Sequence, residues 1–131
     1  MKAIRCYRAA LRVYTVHGFP NQFAEVCNNL GNACLTYRGR DGASQKRHVR
    51  YALRHFERAI EVWKPDTYPY CYALAQYNRG CAYLQLATFP ENLEPALFCL
   101  ADAYQCALSS GYAEIARLAK VHVDRILLPF V

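Results

Sequence analysis

The feature that most constrains the fold of this chain is an internal repeat. A shift of 49 residues aligns thirteen matching positions in two groups. In the first group, Ala3, Ile4, Tyr7, Ala10, Leu11, Val13 and Tyr14 align with Ala52, Leu53, Phe56, Ala59, Ile60, Val62 and Trp63. In the second, Pro20, Ala24, Asn29, Gly31, Ala33 and Leu35 align with Pro69, Ala73, Asn78, Gly80, Ala82 and Leu84. A further shift of 44 aligns Ala52, Leu53, Phe56 and Ala59 with Ala96, Leu97, Leu100 and Ala103. Self-similarity of this kind predicts a fold built from repeated units.

Both groups have the spacing of an α-helix. The first, which we call the alanine helix, is apolar at i, i+1, i+4, i+7 and i+8, a period that a half-buried strand does not show. The second, which we call the glycine helix, has an Asn-x-Gly-x-Ala core around Gly31 and again around Gly80. The predicted alanine helices are residues 2–15, 48–64 and 92–109, the glycine helices are 20–37 and 69–86, and a sixth helix without the glycine is 112–128. The chain is therefore predicted to be all-α.

The predicted boundaries rest on turn and capping residues. Pro20 and Pro69 suit the first helical position, where the missing N–H would have had no partner. Asn92 is a favourable N-cap residue for the third alanine helix. Because the connections are short, neighbouring helices are predicted to be antiparallel. The predicted loops and turns are 17–20, 37–44, 64–69 and 109–112.

Length and composition predict one folded domain. The 131 residues are enough for a single core, and 54% of them are apolar. No apolar run approaches the roughly 18 to 20 residues of a membrane span. Arginines at positions 5, 8 and 12 interrupt the N-terminal segment, so it lacks the apolar stretch of a secretory signal. A cytoplasmic location without membrane contact is expected.

The seven cysteines have neither the spacing of a zinc site nor an even count. Cys27 and Cys34, like Cys99 and Cys106, are seven residues apart, which is two turns along one helix face. They are expected to act as small buried apolar side chains. Neither a metal nor any other cofactor is expected.

No catalytic motif is recognisable. His48 and His55 are seven residues apart with Glu57 nearby, but no serine or cysteine nucleophile stands at a known spacing from them. No glycine loop suited to a phosphate is present in the sequence. The chain is not expected to be an enzyme.

Alternating helix pairs with small residues at fixed places resemble tetratricopeptide (TPR) repeats. In that family the first helix has an aromatic or apolar residue, then Leu-Gly, then an aromatic residue, and the second helix has Ala, an aromatic residue and Ala. The first-helix positions here are Cys27, Leu30, Gly31 and Cys34, and then Gln76, Arg79, Gly80 and Tyr83. The second-helix positions are Ala52, Phe56 and Ala59, and then Ala96, Leu100 and Ala103. The resemblance covers almost the whole chain.

This resemblance implies a right-handed superhelical stack of six antiparallel helices, forming a single domain over residues 1–131. The offsets of 49 and 44 residues exceed the usual TPR period of about 34. In this the chain is similar to the long-period arrays of bacterial multi-repeat proteins and, more distantly, of kinesin light chains. Cys27, Cys34 and Gln76 replace larger residues of the common pattern, so looser local packing is expected there. The implied function is protein–protein interaction, with a partner peptide or helix bound in a concave groove.

The two glycines are expected to act in helix packing. A glycine inside a helix costs roughly 0.5 to 1 kcal/mol relative to alanine. Gly31 and Gly80 are predicted to lie where the paired alanine helix crosses closest, with Ala59 and Ala103 on the facing side. The glycines are therefore interpreted as spacers and not as part of a site.

In TPR arrays the glycine helices line the concave surface. Asparagine amides can both donate to and accept from a peptide backbone. Asn29 and Asn78 could instead bond mainly to the neighbouring helix, and a clamp for a C-terminal carboxylate is disfavoured because Asn28 stands where a lysine is wanted. The predicted groove residues are Glu25, Asn28, Asn29, Asn32, Thr36, Tyr77, Asn78 and Gln85.

A basic stripe is predicted on the second alanine helix, within the cation-rich stretch from Arg38 to Arg58. It could be a solvated helix face, a contact for an acidic protein partner, or a nucleic-acid-binding surface. Val49, Leu53, Phe56 and Ile60 lie opposite to it. The stripe residues are Lys46, Arg47, Arg50, Arg54 and Arg58.

The two ends of the chain differ. The first alanine helix has no glycine helix before it, so one side of Ile4, Tyr7, Leu11 and Tyr14 lacks its expected neighbour. The chain is therefore expected to belong to a longer array or to self-associate at its N-terminal end, as a structural assembly module would. The sixth helix is the predicted C-terminal cap, with its outer side formed by Glu114, Arg117, Lys120, Asp124 and Arg125.

Overall fold

The computed structural model describes residues 2–37, 41–86 and 93–130, and the protein it shows is all-α. The fold class predicted from the sequence is thus confirmed. Across these residues none of the helices is both long and apolar enough to cross a membrane. The helices are α1 (Lys2–Ala10), α2 (Pro20–Thr36), α3 (Gly42–Val62), α4 (Pro69–Gln85), α5 (Leu93–Ser109) and α6 (Ala113–Leu127), followed by a short 3-10 helix (Leu128–Phe130).

The chain forms two compact units, Met1–Trp63 and Lys64–Val131, which we call unit 1 and unit 2. In unit 1, α2 packs against both α1 and α3. In unit 2, α5 packs against α4 and α6, and α6 also contacts α4. The largest fully buried side chains include Phe56 and Leu30 in unit 1 and Leu100 and Gln76 in unit 2.

The central helix pair of each unit is antiparallel. In unit 1 the indole Nε1 of Trp63, at the end of α3, donates to Oδ1 of Asn21, at the start of α2, over 2.8 Å. In unit 2 the thiol of Cys106, late in α5, lies 3.5 Å from the carbonyl oxygen of Pro69, the first residue of α4. In each helix pair, a hydrogen bond therefore connects the two helices at the end opposite to their connecting loop.

The starts of α2 and α4 have the same backbone geometry. Phe19 and Tyr68 precede Pro20 and Pro69, with φ and ψ of −141° and 68° in one case and −134° and 64° in the other. The amide of each aromatic residue donates over 2.8 Å to the carbonyl four residues before it. The repeat seen in the sequence thus extends to the turn that starts each glycine helix.

The first predicted helix is too long, because α1 ends at Ala10 and not at Thr15. The amide of Leu11 still bonds to the carbonyl of Tyr7, but the amides of Arg12 and Val13 bond to carbonyls only three residues back. This tightening into i→i+3 bonds ends the α-helix in a series of turns.

The start of the second predicted alanine helix is also wrong. α3 begins at Gly42, six residues before the predicted start at His48. The side chain of Asp41 accepts a hydrogen bond from the amide of Ser44 over 2.8 Å, which is an N-cap. The residues 41–44 were predicted to belong to a loop because of their glycine, yet the aspartate in front of that glycine is the helix start signal.

The boundaries of α5 and α6 follow from the turn between them. Gly111 has φ +83°, and the amide of Tyr112 bonds to the carbonyl of Ala107 over 2.8 Å. This is a Schellman motif, which favours glycine at that position. Glu94 lies in the first turn of α5, whereas the predicted N-cap Asn92 lies outside the described residues.

Candidate binding site

The two helix glycines make room for a large side chain of the paired alanine helix. A Cβ added at Gly31 would lie 2.4 Å from the ring of Phe56, and one added at Gly80 would lie 2.6 Å from Leu100. The prediction that these glycines face the paired helix is confirmed. The nearest atoms belong to Phe56 and Leu100, whereas the small residue expected to face them, Ala59 or Ala103, is one turn further along.

A buried polar network connects α4 and α5 in unit 2. The hydroxyl of Tyr72 donates to the carboxylate of Asp102, and Nε2 of Gln76 donates to the same oxygen over 2.8 Å. Gln76 is only 2% exposed, and its Oε1 accepts from Arg79 over 3.4 Å. Burial, and then the bond to Asp102, raise the pKa of Tyr72 to about 12. The amide of Gln76 is thus hydrogen-bonded on both sides, and looser packing at this position stays a prediction.

The equivalent position of unit 1 holds a different interaction. At the repeat offsets, Phe23 and Arg58 correspond to Tyr72 and Asp102. The guanidinium of Arg58 lies 5.6 Å from the centre of the Phe23 ring, which is cation–π geometry. Cys27, which takes the place of Gln76, is fully buried, and burial raises the pKa of its thiol to about 11. The Tyr72–Gln76–Asp102 network and the Arg58–Phe23 contact each join a glycine helix to its alanine helix. We therefore interpret both as structural contacts and not as ligand sites.

Four of the predicted groove residues form one polar stripe on α2. Glu25, Asn29, Asn32 and Thr36 follow one another at intervals of four, three and four residues, which places them on a single helix face. Glu25 and Thr36 are exposed, and the two asparagines are half-buried. We call these four residues the α2 stripe. The opposite face of α2 is formed by Phe23, Cys27, Leu30 and Cys34, all of which are buried.

Asn28 lies off this stripe. Its side chain is 5% exposed, although it was predicted to line the groove with its neighbours. A side chain buried to this extent supports the helix packing around it and offers little surface to a partner.

The three predicted groove residues of unit 2 differ in their surroundings. The hydroxyl of Tyr77 hydrogen-bonds Nε2 of His122 on α6 over 3.3 Å, and the ring centres are 5.7 Å apart. Burial raises the pKa of Tyr77 to about 12 and lowers that of His122. Asn78 is half-buried, and Gln85, at the end of α4, is exposed. Tyr77 therefore helps to hold α6, while Gln85 offers its amide at the surface.

The predicted basic stripe is exposed along its full length. Lys46, Arg47, Arg50, Arg54 and Arg58 are all exposed, while Val49, Leu53 and Phe56 on the other side of α3 are buried. We call these five cations the α3 basic face. Two of its arginines lie over aromatic rings, Arg58 over Phe23 and Arg54 over Tyr51, the latter at 5.4 Å. The amphipathic character predicted for this helix is confirmed.

His55 lies beside the α3 basic face and was not assigned a role from the sequence. Its Nδ1 is buried and has no hydrogen-bond partner within the described residues. Burial, followed by the charges of Arg58, Arg8 and Arg54, lowers its pKa to about 4. His55 is therefore neutral at physiological pH, among cations from α1 and α3.

None of the seven cysteines, all of which lie in the described ranges, forms a disulfide. Cys27, Cys34 and Cys99 are buried, Cys71, Cys81 and Cys106 are half-buried, and Cys6 is exposed. The expected role as small apolar side chains is confirmed for the three buried ones. No group of three or more His, Cys, Asp or Glu side chains suited to a metal ion occurs in the described ranges.

Two open depressions lie on unit 2. One, of about 390 Å³, lies between α4 and α5 and is lined by Arg79, Tyr83, Glu94, Pro95, Phe98 and Cys99. The other, of about 340 Å³, is mainly apolar and is lined by Leu84, Leu93, His122, Arg125, Ile126, Pro129 and Phe130. Neither includes a residue of the predicted groove.

No protein-family model, no curated protein and no solved structure matches this chain. The TPR resemblance therefore rests on the sequence pattern and on the repeated contacts within the two units, and membership of that family and the superhelical arrangement remain predictions.

Proposed function

We propose that this chain is a TPR-like protein–protein interaction module that binds an extended peptide or a helix of a partner protein. The observation that carries the proposal is the α2 stripe, in which Glu25, Asn29, Asn32 and Thr36 present polar groups on the face of α2 opposite to its buried residues. A row of amide and carboxylate groups along a rigid helix suits the backbone and polar side chains of a bound segment.

The asparagines support this proposal because helix formation does not explain them. Asparagine is among the weaker helix formers, yet α2 has three of them within the five residues from Asn28 to Asn32. Asn28 is accounted for by burial. The side chains of Asn29 and Asn32 make no hydrogen bond within the described residues, so both amides remain available to a partner.

In unit 2, α4 has polar side chains at positions equivalent to two residues of the α2 stripe. Asn78 corresponds to Asn29 at the repeat offset, and Gln85 corresponds to Thr36. We propose that Asn78 and Gln85 make a separate polar contact within unit 2. Tyr77 and Asn28 are instead assigned to packing, Tyr77 because of its bond to His122 and Asn28 because of its burial.

The proposal is a binding role without catalysis in a reducing compartment such as the cytoplasm. Seven cysteines without a disulfide among the described residues are compatible with a reducing compartment. No residue is given a catalytic role.

The test begins with selection of peptides that bind the full chain from a random display library. The affinities of selected peptides are then measured for the natural chain and for Asn29→Ala/Asn32→Ala. Each lost hydrogen bond is worth about 0.5 to 1.5 kcal/mol, so the double variant should bind roughly 10-fold more weakly.

The matched control is Glu114→Ala/Arg117→Ala, which removes two polar side chains that are exposed on α6. Its affinity for the selected peptides should equal that of the natural chain. Peptides that bind the asparagine variant and the natural chain equally well would refute a role for the α2 stripe.

A further inference from the structure

The charge of this chain is concentrated in unit 1. Residues 1–63 contain eleven Lys and Arg against four Asp and Glu, a net charge of +7. Residues 64–131 contain five Lys and Arg against six Asp and Glu, a net charge of −1. A protein that needed charge only for solubility would have no reason to place it in one unit. Such asymmetry indicates a polyanionic partner for unit 1.

The α3 basic face gives this charge a linear arrangement. Lys46, Arg50, Arg54 and Arg58 follow one another at intervals of four residues, and Arg47 lies beside the first two. Together they extend over about 18 Å of helix, at 1.5 Å per residue. Glu57 and Glu61 lie on the same side near the C-terminal end, so the excess of positive charge is greatest from Lys46 to Arg54.

Two of the four arginines of this face lie over aromatic rings. The guanidinium groups of Arg54 and Arg58 lie 5.4 Å and 5.6 Å from the centres of the Tyr51 and Phe23 rings. An arginine positioned in this way loses less side-chain entropy when it binds an anion. On α6, in contrast, the exposed cations Arg117 and Lys120 form ion pairs at 2.7 Å with carboxylates of their own helix.

We propose that the α3 basic face binds the phosphate backbone of a nucleic acid, as an activity separate from the peptide binding proposed above. Protein interfaces have an apolar centre, whereas nucleic-acid interfaces are polar and strongly positive. None of the large apolar side chains exposed in the described residues lies on α3. The face thus has the composition of a nucleic-acid contact and lacks the apolar centre that an acidic protein partner would need.

The test measures binding of the full chain to a fluorescent DNA duplex and to a single-stranded RNA by anisotropy, without reference to any peptide. Contacts from four or five cations should weaken duplex binding about 150-fold to 500-fold between about 50 mM and 200 mM salt. Arg47→Glu/Arg50→Glu should bind at least about 10-fold more weakly and with a shallower salt dependence. Both positions are exposed on α3, and glutamate has about the same helix propensity as arginine.

The matched control is Arg117→Glu/Lys120→Glu, which changes the net charge by the same amount on α6. It should bind like the natural chain, with the helix content of both variants checked by circular dichroism. Equal loss in both variants would show only a dependence on net charge and would overturn the proposal. Displacement of the nucleic acid by poly-glutamate at equal charge concentration would overturn it in favour of an acidic protein partner. The peptide-binding proposal is unaffected by either result, since it depends on the α2 stripe.

Discussion

At the scale of single residues, the two helix glycines are explained by the side chains that face them. Gly31 and Gly80 do not have a positive φ, so the backbone conformation does not require glycine at these positions. A methyl group at Gly31 would instead overlap the ring of Phe56, which is fully buried. The packing of that ring offsets the roughly 1 kcal/mol that glycine costs in a helix.

We therefore expect Gly31→Ala to destabilise the protein, although alanine is the better helix former. Overpacking of a buried site costs about 1 to 3 kcal/mol, which exceeds the gain in helix propensity. Urea unfolding followed by circular dichroism measures the change. Gly42→Ala is the control, because an added Cβ there meets nothing within 4 Å, and it should be neutral or stabilising.

A second variant tests whether overlap with the Phe56 ring is the reason why Gly31→Ala is destabilising. In a Phe56→Ala background the space beside Gly31 is open, so adding Gly31→Ala should raise stability by up to about 1 kcal/mol. If Gly31→Ala is destabilising to the same extent with and without the Phe56 ring, overlap with that ring is not the reason for the glycine.

His55 predicts the direction of a pH effect on stability. Its pKa is lowered from 6.5 to about 4 in the folded protein, so between these values the unfolded chain binds the proton more readily. The folded state therefore loses stability as the pH falls from about 6.5 towards 4. His55→Gln, which does not titrate, should reduce the loss in urea midpoint between pH 7 and pH 5. An unchanged difference would contradict the assignment to His55.

At the scale of elements, the two glycine–alanine hairpins have a common frame and different polar contacts. Each places its glycine against a large residue of the partner helix, Phe56 in unit 1 and Leu100 in unit 2. Two residues after Phe56, Arg58 of unit 1 lies over the Phe23 ring. Two residues after Leu100, Asp102 of unit 2 is instead bonded to Tyr72. The frame was predictable from the offsets of 49 and 44 residues. The polar contacts were not predictable from these offsets, because each depends on a pair of positions at which both residues differ between the repeats.

The Tyr72–Gln76–Asp102 network should contribute measurably to the stability of unit 2. Tyr72→Phe removes one bond to a charged acceptor and should cost about 1 to 2 kcal/mol. Asp102→Ala should cost more, about 2 to 3 kcal/mol, because the buried amide of Gln76 loses its acceptor. Chemical unfolding of the two single variants and the double variant gives the coupling between the two side chains.

The control for this network is Tyr70→Phe on the same helix, whose side chain is 46% exposed. Its effect should stay within about 0.5 kcal/mol. A double variant whose cost equals the sum of the two single costs would show that Tyr72 and Asp102 do not act together.

At the scale of the whole molecule, hydrophobic period and proline position predicted which elements exist, and local hydrogen bonding decided where they end. The α1 end and the α3 start were predicted wrongly because the i→i+3 bonds after Ala10 and the cap at Asp41 are local features that a repeat offset does not reveal. For the candidate site, helical spacing predicted the exposed faces of α2 and α3. It did not predict that Asn28 is buried or that Tyr77 bonds to His122, since both depend on packing against other helices.

Each unit has buried residues of its own, which leads to a prediction about folding. The buried residues of unit 2 are mostly alanines from α4, α5 and α6, together with Leu100, Cys99 and Ile115. In repeat proteins stability is approximately a sum of local terms, and domains of about 55 to 65 residues can fold alone.

We therefore expect the fragment 64–131 to be helical and to unfold cooperatively without the rest of the chain. Circular dichroism and thermal melting measure this directly. Leu100→Ala in the same fragment removes a fully buried side chain, at a cost of about 2 to 5 kcal/mol, and should abolish the cooperative transition. A fragment that melts without a transition even with Leu100 in place would show that the buried residues of unit 2 do not suffice, and that its fold depends on residues 1–63.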